Sequence, residues 1–293
     1  MRVAGCVVVL SSLAACSPLR MTAPETGAGG DAGSAGAAGT QGTGGTGGTG
    51  GMATAGTTGR GGSGGAGGSG EPPGLIAHWT FNEGNGTSVV DSSGNGQPMK
   101  LSATGVTWTT QGREGGALTF DGATGFAEMM PTANQPLYNY PVIKLTFSAW
   151  VKPTAAAVSI EFATAVARAH EDYAFEDFWI GVVHGKPACM IHNSDWLGAV
   201  ATAVAPTTAW THIACTYAMD GQVLLYVNGA YSAATSSNQT IGPIPPRILV
   251  GADEFDAGTG AGRALHDFFP GAIDDVRIYN ETLTPAQVAF IAR

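Results

Sequence analysis

The sequence predicts an all-β fold, a two-sheet antiparallel sandwich, preceded by a signal segment and a glycine-rich linker. Three observations predict it. From Gly74 onward, short apolar stretches alternate with turn residues. Asn-Gly and Asp-Gly pairs fall between β-rich runs, where they favour tight hairpins. No stretch before the last dozen residues carries sustained helical periodicity.

The chain starts with Met1-Arg2 and an apolar run, Val3 to Leu13, followed by Leu13-Ala14-Ala15-Cys16. A basic start, a short apolar run and small residues before a cut site make a secretory signal over 1–15. A run of eleven residues is too short to span a bilayer of ~30 Å as a helix. Leu-Ala-Ala-Cys resembles the lipobox of bacterial lipoproteins. The resemblance implies lipidation of Cys16, cleavage before it, and anchoring through several acyl chains. Ser17 in the second mature position favours the outer membrane or cell surface. The alternative is an ordinary secretory signal with Cys16 incidental.

Residues 16–73 read as linker. Positions 27–70 hold 22 glycines, and Met52 is the one large apolar residue among them. Such a composition cannot bury enough apolar surface to offset the entropy of ordering. As flexible coil it spans ~40 Å root-mean-square. Glycine does not recur strictly every third residue, which excludes collagen. Glu71-Pro72-Pro73 ends the linker.

The domain proper is 74–293. Leu75, Ala77, Trp79 and Phe81 share one face of a first strand, and Leu145, Phe147, Ala149 and Val151 share one face of another. Gln222–Val227 is a strand closed by Asn228-Gly229. Further strands are expected at 117–121, 179–184, 188–192, 211–217, 247–251 and 272–279, with turns at Asp121-Gly122 and Asp220-Gly221. Trp79, Phe81, Trp150 and Trp210 are expected in the core and at its rim. One helix follows Thr284-Pro285-Ala286-Gln287, which places Thr at the N-cap, Pro at the first helical position and Gln three residues after the cap.

Charge narrows the partners. The linker and signal are neutral overall, so the net charge of −9 belongs to the domain. An acidic domain without a Lys/Arg cluster argues against nucleic acid, and leaves the lipid anchor as the membrane contact. Four cysteines are present. Cys6 leaves with the signal and Cys16 takes lipid. Cys189 and Cys215 remain in two expected strands of an exported domain, which suggests a disulfide; two buried thiols are the alternative.

The ordered stretches Leu75–Gly86, Asp91–Gly96, Ala117–Gly122, Phe147–Pro153, Trp210–Ala214, Val223–Gly229 and Gly271–Asn280 resemble laminin G-like domains of the concanavalin A-like jelly-roll group. The resemblance covers the whole domain and implies a jelly roll that binds ligands through its loops. It also implies a structural calcium ion near the join of first and last strands. Calcium takes six to eight hard oxygens, and Glu83, Asp121, Asp274 and Asp275 are the candidates. The alternative is turn chemistry for Asp121 and pairing of the last-strand acids with Arg277.

The same fold group includes glycoside hydrolases, whose retaining members need two flanking carboxylates. Glu171-Asp-Tyr-Ala-Phe-Glu176 lacks the central acid of the expected Glu-x-Asp-x-x-Glu strand, and Asp172 lies on the opposite face. The sequence therefore predicts a binder and not an enzyme. Two segments read as functional loops. In His192–Trp196, Asn193, Asp195 and Trp196 combine polar groups with a flat aromatic suited to sugar. Ala252–Pro270 is long, acidic and glycine-rich. The expected function is a surface lipoprotein presenting a module for carbohydrate or glycoprotein. The rivals are an envelope-assembly protein using the module for protein contacts, and a divergent glycoside hydrolase.

Overall fold

The computed structural model describes residues 70–129, 144–169, 178–191, 198–219, 221–236, 247–255 and 264–293. They lie in the compact unit Ser63–Arg293. The strands begin β1 (Leu75–Trp79), β2 (Ser88–Val89), β3 (Met99–Leu101), β4 (Val106–Thr109), β5 (Ala117–Asp121) and β6 (Ala127–Met129). After β7 (Lys144–Pro153), a single turn α1 (Ala156–Ser159) leads to β8 (Phe162–Ala169), β9 (Phe178–Val183), β10 (Lys186–Ile191) and β11 (Ala199–Val200). Then come β12 (Thr211–Ala218), β13 (Gln222–Val227), β14 (Ala230–Ser236), β15 (Arg247–Val250), β16 (Asp253–Phe255), β17 (Ala264–His266), β18 (Pro270–Tyr279) and helix α2 (Pro285–Ile291).

The strands form two antiparallel sheets, the expected sandwich. The first runs β14-β13-β12-β7-β18-β5-β4, with β1 also on β18; the second runs β11-β10-β9-β8-β15-β6-β3-β2. Alternation along each strand turns one face inward. Phe147, Ala149 and Val151 of β7 meet Phe178, Ile180 and Val182 of β9 in one core, together with Trp79, Phe81, Phe120 and Phe269. Fully burying a side chain of this size contributes about 1.5–3 kcal/mol.

β18 is the spine of the first sheet. One edge pairs with β7 over Gly271–Asp274 and Arg277–Tyr279. The other edge pairs with β5 over Pro270–Ile273 and with β1 over Val276–Tyr279. Where that second edge changes partner, the register against β7 shifts: Asp275 and Val276 lie between the pairs Asp274–Trp150 and Arg277–Ser148, and Asp275 takes φ 49°. A bulge bends the strand and leaves an extra residue free of the ladder, and one strand serves two partners on one side.

The outer face of this sheet is covered as well. Thr146 Oγ1 donates to Glu281 O at 2.8 Å and accepts from Leu283 N at 2.9 Å. That pair docks the approach to α2. Leu283, Val288 and Ile291 then close over Ala214, Tyr226 and Tyr279. Thr284 caps α2 in the expected box, with Gln287 reciprocating. Trp150 is buried on this outer face and not in the main core. There it stacks under the Arg113 guanidinium, 4.5 Å from the ring centre, and meets the edge of His212 at 5.2 Å. Trp210 is half-buried at the rim.

Asn228-Gly229 forms the expected hairpin turn, with φ 50° and 77°. The described parts of the 252–270 segment, 252–255 and 264–270, include regular structure. They contain the β16–β17 hairpin, and Phe269 is a core residue. Residues 256–263 lie outside the described residues.

Cys189 on β10 and Cys215 on β12 are bonded, Cα to Cα 6.0 Å, and so tie one sheet to the other. Closing a loop of 26 residues restricts the unfolded chain by about 3.5 kcal/mol in the chain-entropy account. An unreduced digest should yield a linked Cys189–Cys215 peptide pair, and the Cys189→Ala/Cys215→Ala protein should lose about 3 kcal/mol in urea unfolding. Free alkylation of both thiols in the native protein contradicts the bond.

Candidate functional site

The four carboxylates expected to share calcium are held by separate partners. Asp121 Oδ1 accepts the amides of Ala123, Thr124 and Gly125 at 2.8, 2.8 and 3.0 Å, and Oδ2 accepts the Thr124 hydroxyl at 2.8 Å. The Thr124 amide foremost holds this carboxyl well below the usual range. This is turn chemistry. Glu83 Oε1 accepts the Val90 amide at 2.7 Å. Asp275 lies 2.6 Å from His78 Nε2 and 3.1 Å from Arg277 Nη2. Burial opposes its charge, but those two partners outweigh burial and keep its carboxyl low. Arg277 in turn reaches Glu71 at 3.7 Å, and the Tyr279 hydroxyl also bonds Glu71.

Asp274, the next residue along, faces a different set of groups. Its Oδ2 accepts the amides of Arg113 and Glu114 at 2.7 and 3.1 Å, while Oδ1 is buried without a hydrogen bond. Among the described residues no three His, Cys, Asp or Glu side chains gather to hold a metal. The four carboxylates therefore do not fit one shared calcium site, which needs six to eight oxygens together. Asp121 follows the turn alternative and Asp275 pairs with Arg277, whereas Asp274 is held by backbone amides and makes no pair with Arg277. The bulge separates Asp274 from Asp275, a feature the sequence does not display.

Asn193, Asp195 and Trp196 lie in the segment joining β10 to β11, and Glu171 and Glu176 in that joining β8 to β9. Both segments, like Cys16, are outside the described residues. His212 is buried, and burial pushes its imidazole down to about 3, so the ring is neutral. This agrees with a structural role.

A concavity that the sequence did not indicate opens at one end of the sandwich. Its volume is about 200 Å³, and it lies between the 201–206 segment, Pro187 of β10, Thr211 of β12, and Val227, Asn228 and Ser232 of the β13–β14 hairpin. None of its lining residues is ionisable. Val204, Val227 and Pro187 supply apolar wall; Thr211, Asn228 and Ser232 supply hydroxyl and amide groups. Pro187 and Cys189 share a face of β10, and Thr211 and Cys215 share a face of β12, so the disulfide lies deeper in the same inter-sheet space. The 201–206 segment is tied across β10 by Ala201 N to Pro187 O and Ala205 N to Gly185 O, each 2.8 Å. Gly185 is required there: its φ is 74°, and a Cβ would sit 2.7 Å from Val204 Cγ1.

Asp274 has a measurable signature. Burial pushes its carboxyl from 3.8 up to about 6, against the two amides that favour the charge. The folded protein therefore holds this proton more tightly than the unfolded chain. Its contribution to stability is full below the ordinary carboxylate range and is lost as pH rises through about 6, a change of about 3 kcal/mol. Asp274→Asn keeps an acceptor for both amides and cannot ionise. In urea unfolding, its stability relative to wild type should grow by about 3 kcal/mol from roughly pH 4 to roughly pH 7. Parallel pH curves for the two proteins contradict this assignment.

Comparison with known proteins agrees with the architecture. A laminin G-type family model, described as the concanavalin A-like lectin/glucanases superfamily, matches residues 121–289. No curated protein sequence matches the chain. Among solved structures, domain 4 of AbnA, a GH43 extracellular arabinanase from Geobacillus stearothermophilus in complex with arabinotriose, is similar. The likeness has TM-score 0.55 and 22% identity, over 75% of this chain and 98% of that one. The binding domain of botulinum neurotoxin DC in complex with rat synaptotagmin II is similar at TM-score 0.55 and 13% identity, over 75% of this chain and 51% of that one. The same toxin domain in complex with SialylT gives 0.53, 13%, 75% and 51%. The β-sandwich topology and the match over more than half of the sequence lead to one assignment: this chain belongs to the concanavalin A-like lectin/glucanases superfamily.

Proposed function

We propose that this protein is a lipid-anchored surface lipoprotein whose sandwich domain binds glycan without cleaving it. The observation that carries the reading is the pocket lining: hydroxyl, amide and apolar groups, with no acid. Sugar recognition needs hydroxyl partners and apolar wall. Retaining glycoside hydrolysis needs two carboxylates about 5–5.5 Å apart across the bond. The four acids singled out in the described residues are committed to backbone amides, to His78 and Arg277, or to burial. The arabinanase domain that shares the fold was solved with arabinotriose, which supports a glycan ligand. The signal and linker give the reading its setting. Cys16 anchors the protein, and the glycine-rich linker lets weak single contacts add up across many copies on a surface.

A protein partner is the second reading, favoured by the toxin binding domain solved with synaptotagmin II. A glycan array with the purified full chain separates the two. Retention of defined oligosaccharides, with no reducing sugar released from the same panel, is expected. A blank array together with a protein captured by crosslinking would sink the glycan reading, and sugar release abolished by Glu171→Gln or Glu176→Gln would establish a hydrolase. For the anchor, Cys16→Ala should leave the protein unprocessed or free of membranes. Normal processing and membrane retention of that variant contradict lipidation.

A further inference from the structure

We infer that Asn85 is a modification site: it accepts an oligosaccharide from a polyprenyl-pyrophosphate carrier. The sugar here is bonded to the chain, so the inference is separate from ligand binding. It rests on residues 1–15 acting as an export signal.

An asparagine can accept such a glycan where serine or threonine stands two residues on and proline does not intervene. The sequence offers Asn85-Gly86-Thr87, Asn238-Gln239-Thr240 and Asn280-Glu281-Thr282. Asn238 lies outside the described residues. The fold separates the other two.

Asn85, Gly86 and Thr87 are all exposed, in the loop between β1 and β2. The flanking glycines, Gly84 and Gly86, take φ 71° and 89°, and a Cβ on either would meet no atom within 4 Å. The space on both sides of Asn85 is therefore open. Three bonds hold the loop. Glu83 Oε1 accepts the Val90 amide at 2.7 Å, Gly86 O accepts Trp108 Nε1 at 2.9 Å, and Thr87 O accepts the Leu101 amide at 2.9 Å. None of them takes up the Asn85 carboxamide or the Thr87 hydroxyl, the two groups that a transferase must engage. Glycine on each side also lets the backbone bend into an enzyme cleft at little cost.

Asn280 is placed differently. Its amide donates to Gly74 O at 2.9 Å, and Glu281 O accepts Thr146 Oγ1 at 2.8 Å. Thr282 is half-buried, and its hydroxyl donates to Tyr217 O at 2.6 Å. Presenting this segment to an enzyme would break all three bonds and lift the approach to α2 from the first sheet.

The transfer is a substitution at the anomeric carbon. Asn85 Nδ2 forms the new C–N bond. The bond from that carbon to the pyrophosphate oxygen breaks, and polyprenyl pyrophosphate leaves with the electron pair. The proton lost from the carboxamide passes to a base of the transferase. The attached glycan would stand beside β2 and β4, which are edge strands of the two sheets, whereas the 201–206 concavity lies by the opposite edges, β11 and β14. It would screen two short edges from pairing with other chains and leave the concavity free.

The test is tandem mass spectrometry of the full chain taken from the membranes of its native host. The peptide holding Asn85 should carry an oligosaccharide, and the peptide holding Asn280 should be bare. Asn85→Gln and Thr87→Ala should each remove the glycan without lowering the yield of folded protein, and Thr87→Ser should retain it. A bare Asn85 in processed, membrane-bound protein overturns the inference. A glycan on Asn280 or Asn238 in its place, or one that survives Thr87→Ala, does the same. None of these results bears on ligand binding, which the glycan array reads independently.

Discussion

Backbone pairing of β18 is the constraint on which the rest of the structure depends. A buried strand must satisfy hydrogen-bonding groups on both edges. β18 is ten residues long, and no single neighbour runs beside its second edge for that length. That edge passes from β5 to β1, and the bulge at Asp275–Val276 against β7 falls at the hand-over. The first strand is thereby locked against the last, and the sheet joins chain segments about two hundred residues apart. The extra residue leaves Asp275 beside His78 and Arg277, and Asp274 under the Arg113–Glu114 amides. The acidic pair that resembled a calcium site is thus part of the joint itself.

The pocket follows from a second constraint at the far side of the sandwich. There β10 and β11 of one sheet face β12, β13 and β14 of the other, and the inter-sheet space is open at its end. The concavity is open to solvent, and its walls are fixed independently of one another. The disulfide sets the spacing, the Asn228-Gly229 turn sets one wall, and Gly185 admits Val204 on the other. The same elements that stabilise the sandwich therefore shape its concavity.

Sequence patterns revealed the fold far better than they revealed the site. Strand alternation from Leu75, the Asn228-Gly229 hairpin, the Thr284 capping box and the pairing of Cys189 with Cys215 were all legible, because each depends on local spacing or on elimination. Asp121 was legible as a turn for the same reason. The bulge was not, since Gly271–Tyr279 reads as one uninterrupted strand and only its partners reveal the irregularity. Trp150 alternates correctly with its neighbours, yet its burial depends on Arg113 and on His212 from distant segments. The pocket is less visible still. Its wall, Ala201–Pro206, is a bland run of small residues, and Thr211 and Asn228 carry no motif that marks a ligand group. The aromatic and acidic residues that mark 192–196 and 252–270 have no counterpart there.

These constraints together describe a domain whose rigidity and recognition have one origin, with a neutral pocket at the end of a strongly acidic body. A crystal structure of the protein with a bound neutral oligosaccharide tests this account most directly. It predicts a sugar seated between the 201–206 segment and the β13–β14 hairpin, with the remaining rings in solvent. A sugar seated elsewhere on the sandwich, with that pocket unchanged and filled by water, would contradict it.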